Sequence, residues 1–322
     1  LGQDADVSRV VQICAAPHPS PTVEELVRHL EFLPSAPRIL PRLKQLLSDG
    51  NSSIHEVVEL VRLDPGISAR VLQFGNSAYF SHGLRCYTVE EAVNRVGYDQ
   101  IYALVSTAVA SQVLVRPLES YGMDADASWQ NAVACALAAE MLADCVKADR
   151  KVAYTIGLLH GIGMIAIDDW VLHNQPGLRF TSAGLPLECC VSERSVVGFH
   201  QAEAGAALLR LWEFPQVMSE PVRWQYLPGG TAAHFQLAAL LHTAKAVRTL
   251  VLQPNAPKDV VPMGILAKLH LSPARLEQLA SVAASRLRLI NHQLEVDEPR
   301  VALQFPAGER SVPERAEKRP VR

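Results

Sequence analysis

Thr155–Ile167, TIGLLHGIGMIAI, constrains this chain more than any other stretch. It is a thirteen-residue apolar run whose one strongly polar side chain is His160, set among Gly157, Gly161 and Gly163. A helix this apolar has to be covered on nearly every side. At this length, and followed at once by Asp168 and Asp169, the run is too short to cross a bilayer. It therefore predicts the central element of a helical core, with the glycines letting neighbouring helices approach the backbone. His160 has two readings: a core histidine satisfied by hydrogen bonds, or a ligand.

The remainder of the sequence fits such a core. Of 322 residues, 49% are hydrophobic and 20% charged, with a net charge of −3. That supports one large or two small domains and gives no electrostatic reason to expect nucleic acid or an acidic membrane as partner. The six cysteines form no CxxC or CxxH pair, and Cys189-Cys190 are adjacent, so reduced thiols are expected. LGQDADVSRV has neither the basic nor the apolar segment of a signal peptide. The expectation is a cytoplasmic protein.

Helix signals follow one another and strand signals are nearly absent. Residues 1–21, ending in Pro17-His18-Pro19-Ser20-Pro21, read as an extended lead-in. Thr22–Glu25, Ser53–Glu56 and Thr88–Glu91 have the spacing of capping boxes and open three helices; Gly97 closes the third. Further helices are expected over 38–47, 66–74 and 99–115. Together they make an N-terminal lobe over 22–116. Pro117 to Asp124 reads as a connector. A second lobe over 117–294 is built from helices near 128–146 and 151–160, the central run, and helices near 186–197, 200–212, 215–226, 232–252, 262–270 and 273–290. Ser128 is taken as a cap, Pro221 as a kink or turn, and Ser272-Pro273 as a helix start. Residues 295–322 mix prolines with both charges and read as disordered. The fold class is all-α, a two-lobed multi-helical bundle.

Several motifs carry a resemblance. Leu33-Pro34-Ser35-Ala36-Pro37, Asp64-Pro65-Gly66-Ile67-Ser68-Ala69-Arg70-Val71-Leu72, then Asn76-Ser77 and Phe80, resemble the opening of HDOD domains, the HD-related output domains of bacterial signalling proteins. In the second half, Trp129-Gln130-Asn131-Ala132, Leu158-Leu159-His160-Gly161-Ile162-Gly163, Gly198-Phe199-His200 to Gly205, and Trp212-Glu213-Phe214-Pro215 are similar to further family motifs. The resemblance covers about residues 22–252. It implies a helical platform that works by binding, with its second lobe related to HD phosphohydrolases, whose histidines and aspartates hold divalent metal.

Position by position, the resemblance sets Asn131 where the first metal-binding histidine would be. His160 and His200 are kept. Gly161 replaces the paired aspartate, Gln225-Tyr226 stand at a histidine pair, and Lys245 replaces the last aspartate. Two imidazoles without a carboxylate suit Mg²⁺ or Mn²⁺ poorly. A lysine about 4 Å from such an ion repels it by several kcal/mol even at an effective dielectric near 20. The expected function is therefore a non-catalytic signal-transduction module with a vestigial metal site, no metal and no cofactor, binding signalling proteins in trans. The remnant pocket is a candidate for a small anionic ligand, with Lys245 as its charge. A divergent metal-dependent phosphodiesterase using His160 and His200 is the alternative.

Other residues weigh less. Asp64, Pro65, Ser68, Arg70, Asn76 and Ser77 read as scaffold: Asp64 before Pro65 caps a helix, and Asn76-Ser77 close its far end. Glu203 lies one turn after His200 and is within its reach. Asp168, Asp169, His242 and His270 read as structural or ordinary. No GxSxG, GxGxxG or phosphate-binding loop occurs. A shift between the lobes, hinged at Val113–Met123, is the expected means of signalling.

Overall fold

The computed structural model describes residues 21–28, 39, 42, 46, 53–81, 83–97, 100, 101, 117–180, 186–253, 255 and 261–296. Among them there is no strand, only an isolated antiparallel bridge between Leu118 and Met123. The helices are α1 (Val23–Arg28), α2 (Ile54–Val61), α3 (Pro65–Asn76), α4 (Ala78–Ser81), α5 (Val89–Val96), α6 (Ala125–Val146), α7 (Arg150–Leu159) and α8 (Ile162–Asn174). Then come α9 (Pro186–Val197), α10 (Gln201–Leu211), α11 (Gln216–Arg223), α12 (Phe235–Leu252), α13 (Met263–Lys268) and α14 (Pro273–Val296). The lead-in, the tail beyond 296 and the bulk of the expected helices 38–47 and 99–115 lie outside the described residues.

The starts of these helices follow from local chemistry. Thr22 and Glu25 exchange hydrogen bonds at 2.8 and 3.2 Å, and Ser53 with Glu56 forms a full capping box. Thr88 accepts from Glu91 N at 3.2 Å, but the Glu91 carboxylate reaches one residue further back, to Tyr87 N at 2.7 Å. Asp64 caps α3 by accepting from Ile67 N at 2.8 Å, with Pro65 in the first turn, where a missing N–H costs nothing. Ser272 caps α14. One expected cap is corrected. The helix expected from Ser128 starts at Ala125, because Asp124 accepts from Ala127 N and Ser128 lies inside the first turns.

The central run is also corrected. It is two helices, not one, because the chain turns at His160-Gly161 between α7 and α8. Arg150–Asn174 as a whole is long and apolar enough to cross a membrane by length and composition, but 67% of its most apolar window is buried inside the protein.

Two of its three glycines are packing glycines. A Cβ on Gly157 would meet Ala136 Cα at 2.8 Å and Ala139 Cβ at 2.9 Å, so α6 and α7 pack almost backbone to backbone. A Cβ on Gly163 would collide with the Gln201 carbonyl and the Gly205 N–H, where α8 crosses α10. Gly161 differs: its Cβ would meet only Met164 Sδ at 3.8 Å and Asn131 Nδ2 at 4.0 Å, ordinary contact distances.

Around this rod, α12 and α14 pack against α6, and α11 packs against α10 and α12. α1 packs on α8 and α10, so the first helix lies with the later half of the chain.

The earlier helices dock through backbone carbonyls. The C-terminal end of α2 has carbonyls without helical partners. Ser68 Oγ donates to Val61 O at 2.9 Å, Tyr154 Oη to Arg62 O at 3.0 Å, and Trp129 Nε1 to Leu63 O at 2.8 Å. Asn76 does more than close a turn. Its amide donates to Cys86 O at 3.1 Å and accepts from Cys86 N at 2.7 Å, pairing with that peptide as a strand neighbour would. Ser77 caps the end of α3 by donating to Phe74 O.

The connector is no loose hinge over its described part. Leu118, Ser120 and Tyr121 are buried. Ser120 donates from N and Oγ to Asp168 Oδ1 at 2.7 and 2.6 Å, and Tyr121 Oη donates to Glu193 at 2.7 Å. Residues 113–116 lie outside the described residues.

Gly163→Ala is expected to lower unfolding free energy by about 2 kcal/mol or more through overpacking. Gly161→Ala is expected to change it by less than about 1 kcal/mol. Urea midpoints at constant m-value measure both. Trp129→Phe, which leaves Leu63 O without its donor, is expected to cost about 1–2 kcal/mol in the same assay.

Candidate functional site

The turn between α7 and α8 cuts a buried rod, and its exposed peptide groups need partners. His160 supplies the first. Its Nδ1 lies 2.7 Å from Gly157 O, one of the last carbonyls of α7. A carbonyl only accepts, so Nδ1 carries the proton and Nε2 presents its lone pair. That lone pair accepts from Arg248 Nη1 at 3.0 Å. The imidazole is thereby fixed as the neutral Nδ1–H tautomer. Burial holds its pKa well below the ordinary 6.5, and Arg248 and Lys245 push the same way against the Gly157 bond.

Gln225 supplies the second partner. Its fully buried amide donates from Nε2 to His160 O and to Val222 O, each at 2.9 Å. Its own carbonyl lies 2.9 Å from His242 Nδ1, which must therefore donate. Burial lowers the His242 pKa.

His200 sits at the start of α10 and caps it. Its Nδ1 accepts from Glu203 N at 3.4 Å, while the Glu203 carboxylate accepts from His200 N at 3.0 Å. The expected His200–Glu203 meeting is thus a capping box. His200 reaches the cluster through Tyr226: the two rings make an edge contact with centroids 5.7 Å apart.

Lys245 lies on the other contact of that ring, its Nζ 3.2 Å from the Tyr226 centroid. It is only 5% exposed, and its Nζ has no hydrogen-bond acceptor. Burial pushes the Lys245 pKa well below the ordinary 10.5; Arg248 adds to this, and Cys190, Cys135 and Glu193 oppose it. The thiols of Cys190 and Cys135 are each raised to about 11, chiefly by burial. Asn131, on α6, brings its amide up to Gly161.

The structure thus brings Asn131, His160, Gly161, Gln225 and Lys245 together and joins His200 through Tyr226. Arg248 and His242 were missed by sequence reasoning. A signal for both exists: His242, Lys245 and Arg248 recur at three-residue spacing on one side of an otherwise apolar α12. Glu193 was missed too. Its buried carboxylate accepts from Tyr121 Oη and Gln201 N, and nothing in its local sequence marks it. Asp64, Ser68, Asn76 and Ser77 lie in the earlier helices, where they cap and dock. Burial lowers the pKa of Arg70 there. Asp168 is fully buried and bound to Ser120.

These residues do not fit a divalent metal. The free nitrogen of His160 already accepts from a guanidinium, Lys245 supplies an amine in place of a carboxylate, and Gly161 offers no carboxylate. Among the described residues no three His, Cys, Asp or Glu side chains converge as ligands. A cavity of about 580 Å³ elsewhere, lined by Arg42, Glu56, Glu59, Glu140, Tyr154 and Arg286 among others, shares none of these groups.

The family model of the HDOD domain matches residues 33–228. The chain belongs to the HDOD domain family. Over 241 residues it is 23% identical to an uncharacterized protein of Treponema pallidum (strain Nichols), a match covering 74% of this chain and 46% of that protein. The chain thus spans about half the length of that relative. Its fold is similar to the MmoQ response regulator of Methylococcus capsulatus, with 21% identity, a TM-score of 0.63, and 78% and 98% of the two chains covered. It is also similar to a virulence factor of Campylobacter jejuni, with 16% identity, a TM-score of 0.63, and coverage of 84% and 98%.

The histidine shifts set a pH dependence. A base with a folded pKa below its unfolded value contributes stability that is complete above the unfolded pKa and is lost as pH falls below it. For His160 that loss begins near 6.5 and approaches about 1.4 kcal/mol per pH unit. Stability is therefore expected to fall between pH 6.5 and 5. His160→Asn, which retains a donor for Gly157 O and takes up no proton, is expected to flatten that fall; urea titrations across pH measure it. Lys245→Met removes a buried amine that has no acceptor and is expected to raise stability at pH 7 by about 1 kcal/mol or more.

Proposed function

We propose that this HDOD chain is a non-catalytic signal-transduction module of bacterial type that works in the cytoplasm by binding other signalling proteins. One observation carries the non-catalytic part: the Arg248–His160 hydrogen bond at 3.0 Å. It occupies the lone pair a metal would need and sets a permanent positive charge beside it. The kept histidines have structural duties instead. His160 caps α7, His200 caps α10, and Gln225 satisfies the turn between α7 and α8. With Lys245 and Gly161 at the aspartate positions, nothing in the cluster makes a hydroxide or stabilises a phosphoryl transition state through a cation.

Family membership supports the signalling part, and the response-regulator name of the Methylococcus capsulatus protein agrees with it. The partner reading also fits the chemistry left over. A module without a reacting centre acts by changing what it contacts, and a ligand or partner shifts only an equilibrium between states it binds differently.

The test is elemental analysis of protein purified without a histidine tag and soaked in Mn²⁺, Fe²⁺ or Zn²⁺. Metal is expected well below one equivalent after dialysis, and phosphodiester and phosphomonoester substrates are expected to remain intact. Near-stoichiometric metal that is lost in the His160→Ala, His200→Ala double variant overturns the reading. Pull-down with the full chain then identifies partners, with retention unchanged in that double variant if binding does not use the remnant site.

A further inference from the structure

The cluster around His160 holds a guanidinium and a buried amine, and no acid is bound to either. Arg248 uses one N–H on His160 Nε2 at 3.0 Å and one on Thr249 Oγ1 at 3.4 Å. A guanidinium has five N–H groups, so three remain. Lys245 is only 5% exposed, and its Nζ lies over the Tyr226 ring face with no hydrogen-bond acceptor. Among the described residues no carboxylate is ion-paired with either cation. The nearby acid, Glu193, has both oxygens engaged, by Tyr121 Oη and Gln201 N. A buried amine without a partner is costly, and two like charges side by side raise that cost.

Gly161 supplies the second, independent observation. Gly157 and Gly163 are glycines because a Cβ would strike a neighbour closer than 3.0 Å, whereas at Gly161 nothing stands nearer than 3.8 Å. A side chain at 161 would start in ordinary contact with its neighbours and without collision, and a ready donor, Asn131 Nδ2, borders it. Asn131, Gly161, Met164 and Arg248 are all partly exposed, which opens this side of the cluster to solvent.

We infer that this partly exposed face of the cluster binds a small oxyanion, a carboxylate or a tetrahedral phosphate-type group, seated where an aspartate side chain at position 161 would put its own carboxylate. Arg248 offers it a planar fork and Asn131 an amide donor, and an anion beside them favours protonation of the buried Lys245 amine. The anion neutralises the Arg248 charge, which no carboxylate at position 161 balances. A cation is repelled from this position, and a neutral ligand leaves the guanidinium uncompensated. The inference rests on the reading of the cluster as one that rejects metal.

Isothermal titration calorimetry on the full chain tests it, with sodium sulfate as the tetrahedral probe and sodium acetate as the carboxylate probe, at ionic strength held constant with sodium chloride. One-to-one binding of at least one anion is expected. Binding should weaken tenfold or more in Arg248→Gln and in Gly161→Asp. The second variant brings its own carboxylate to that position, so it should also melt cooperatively at a higher temperature than the parent in sulfate-free buffer. Sulfate binding without acetate binding assigns a phosphate-type ligand, and the reverse assigns a carboxylate. Failure of both anions to bind the parent chain, or unweakened binding in both variants, overturns the site. Stoichiometric Mn²⁺ uptake in a parallel titration would instead overturn the metal-rejecting reading beneath it.

Discussion

A helical rod interrupted inside a protein core has to satisfy the peptide groups at its break, and that requirement organises this molecule. Between α7 and α8 the chain turns at His160-Gly161, where little water can reach the carbonyls. His160 bonds one carbonyl, Gln225 bonds the next, and His242 bonds the Gln225 peptide in turn. Each answer to a hydrogen-bond deficit recruits a side chain from another element, so the turn ties α11 and α12 to the central rod.

The same requirement gives the histidines of the cluster structural work. A histidine that binds a cation through one nitrogen commonly uses the other to donate to a carbonyl. At His160, Nδ1 donates to the Gly157 carbonyl while Nε2 accepts from a guanidinium. His200 likewise holds the start of α10. Each imidazole secures a helix end, so the fold itself has a use for both.

The fold was largely legible in the sequence, for local reasons. Thr22, Ser53, Asp64, Thr88 and Ser272 announce helix starts because capping is decided within four residues. The turn at His160-Gly161 was not legible, because TIGLLHGIGMIAI has no proline and its apolar period runs through the break. Gly161 reads like Gly157 and Gly163 in one dimension, and only the neighbours of each missing Cβ separate them. The cluster was half legible. Family motifs found Asn131, His160, Gly161, His200, Gln225 and Lys245, while Arg248 lay outside any motif. Its role comes from a contact between residues 88 positions apart in sequence. The anchoring of Leu118–Tyr121 was not legible, because Asp168 and Glu193, both distant in sequence, hold that segment.

The bond between Ser120 and Asp168 has a mechanical meaning. Asp168 and Gly161 lie at opposite parts of one rigid element, separated by seven residues, or about 10 Å of helix rise. The segment Leu118–Tyr121 is thus bolted to the middle of a strut whose first turn abuts the cluster around His160. Helices are stiff along their axes and Gly163 sits hard against α10, so the anchor of Ser120 and the turn at Gly161 belong to one rigid body. A single rod, pinned against its neighbour at a glycine, holds both in fixed register.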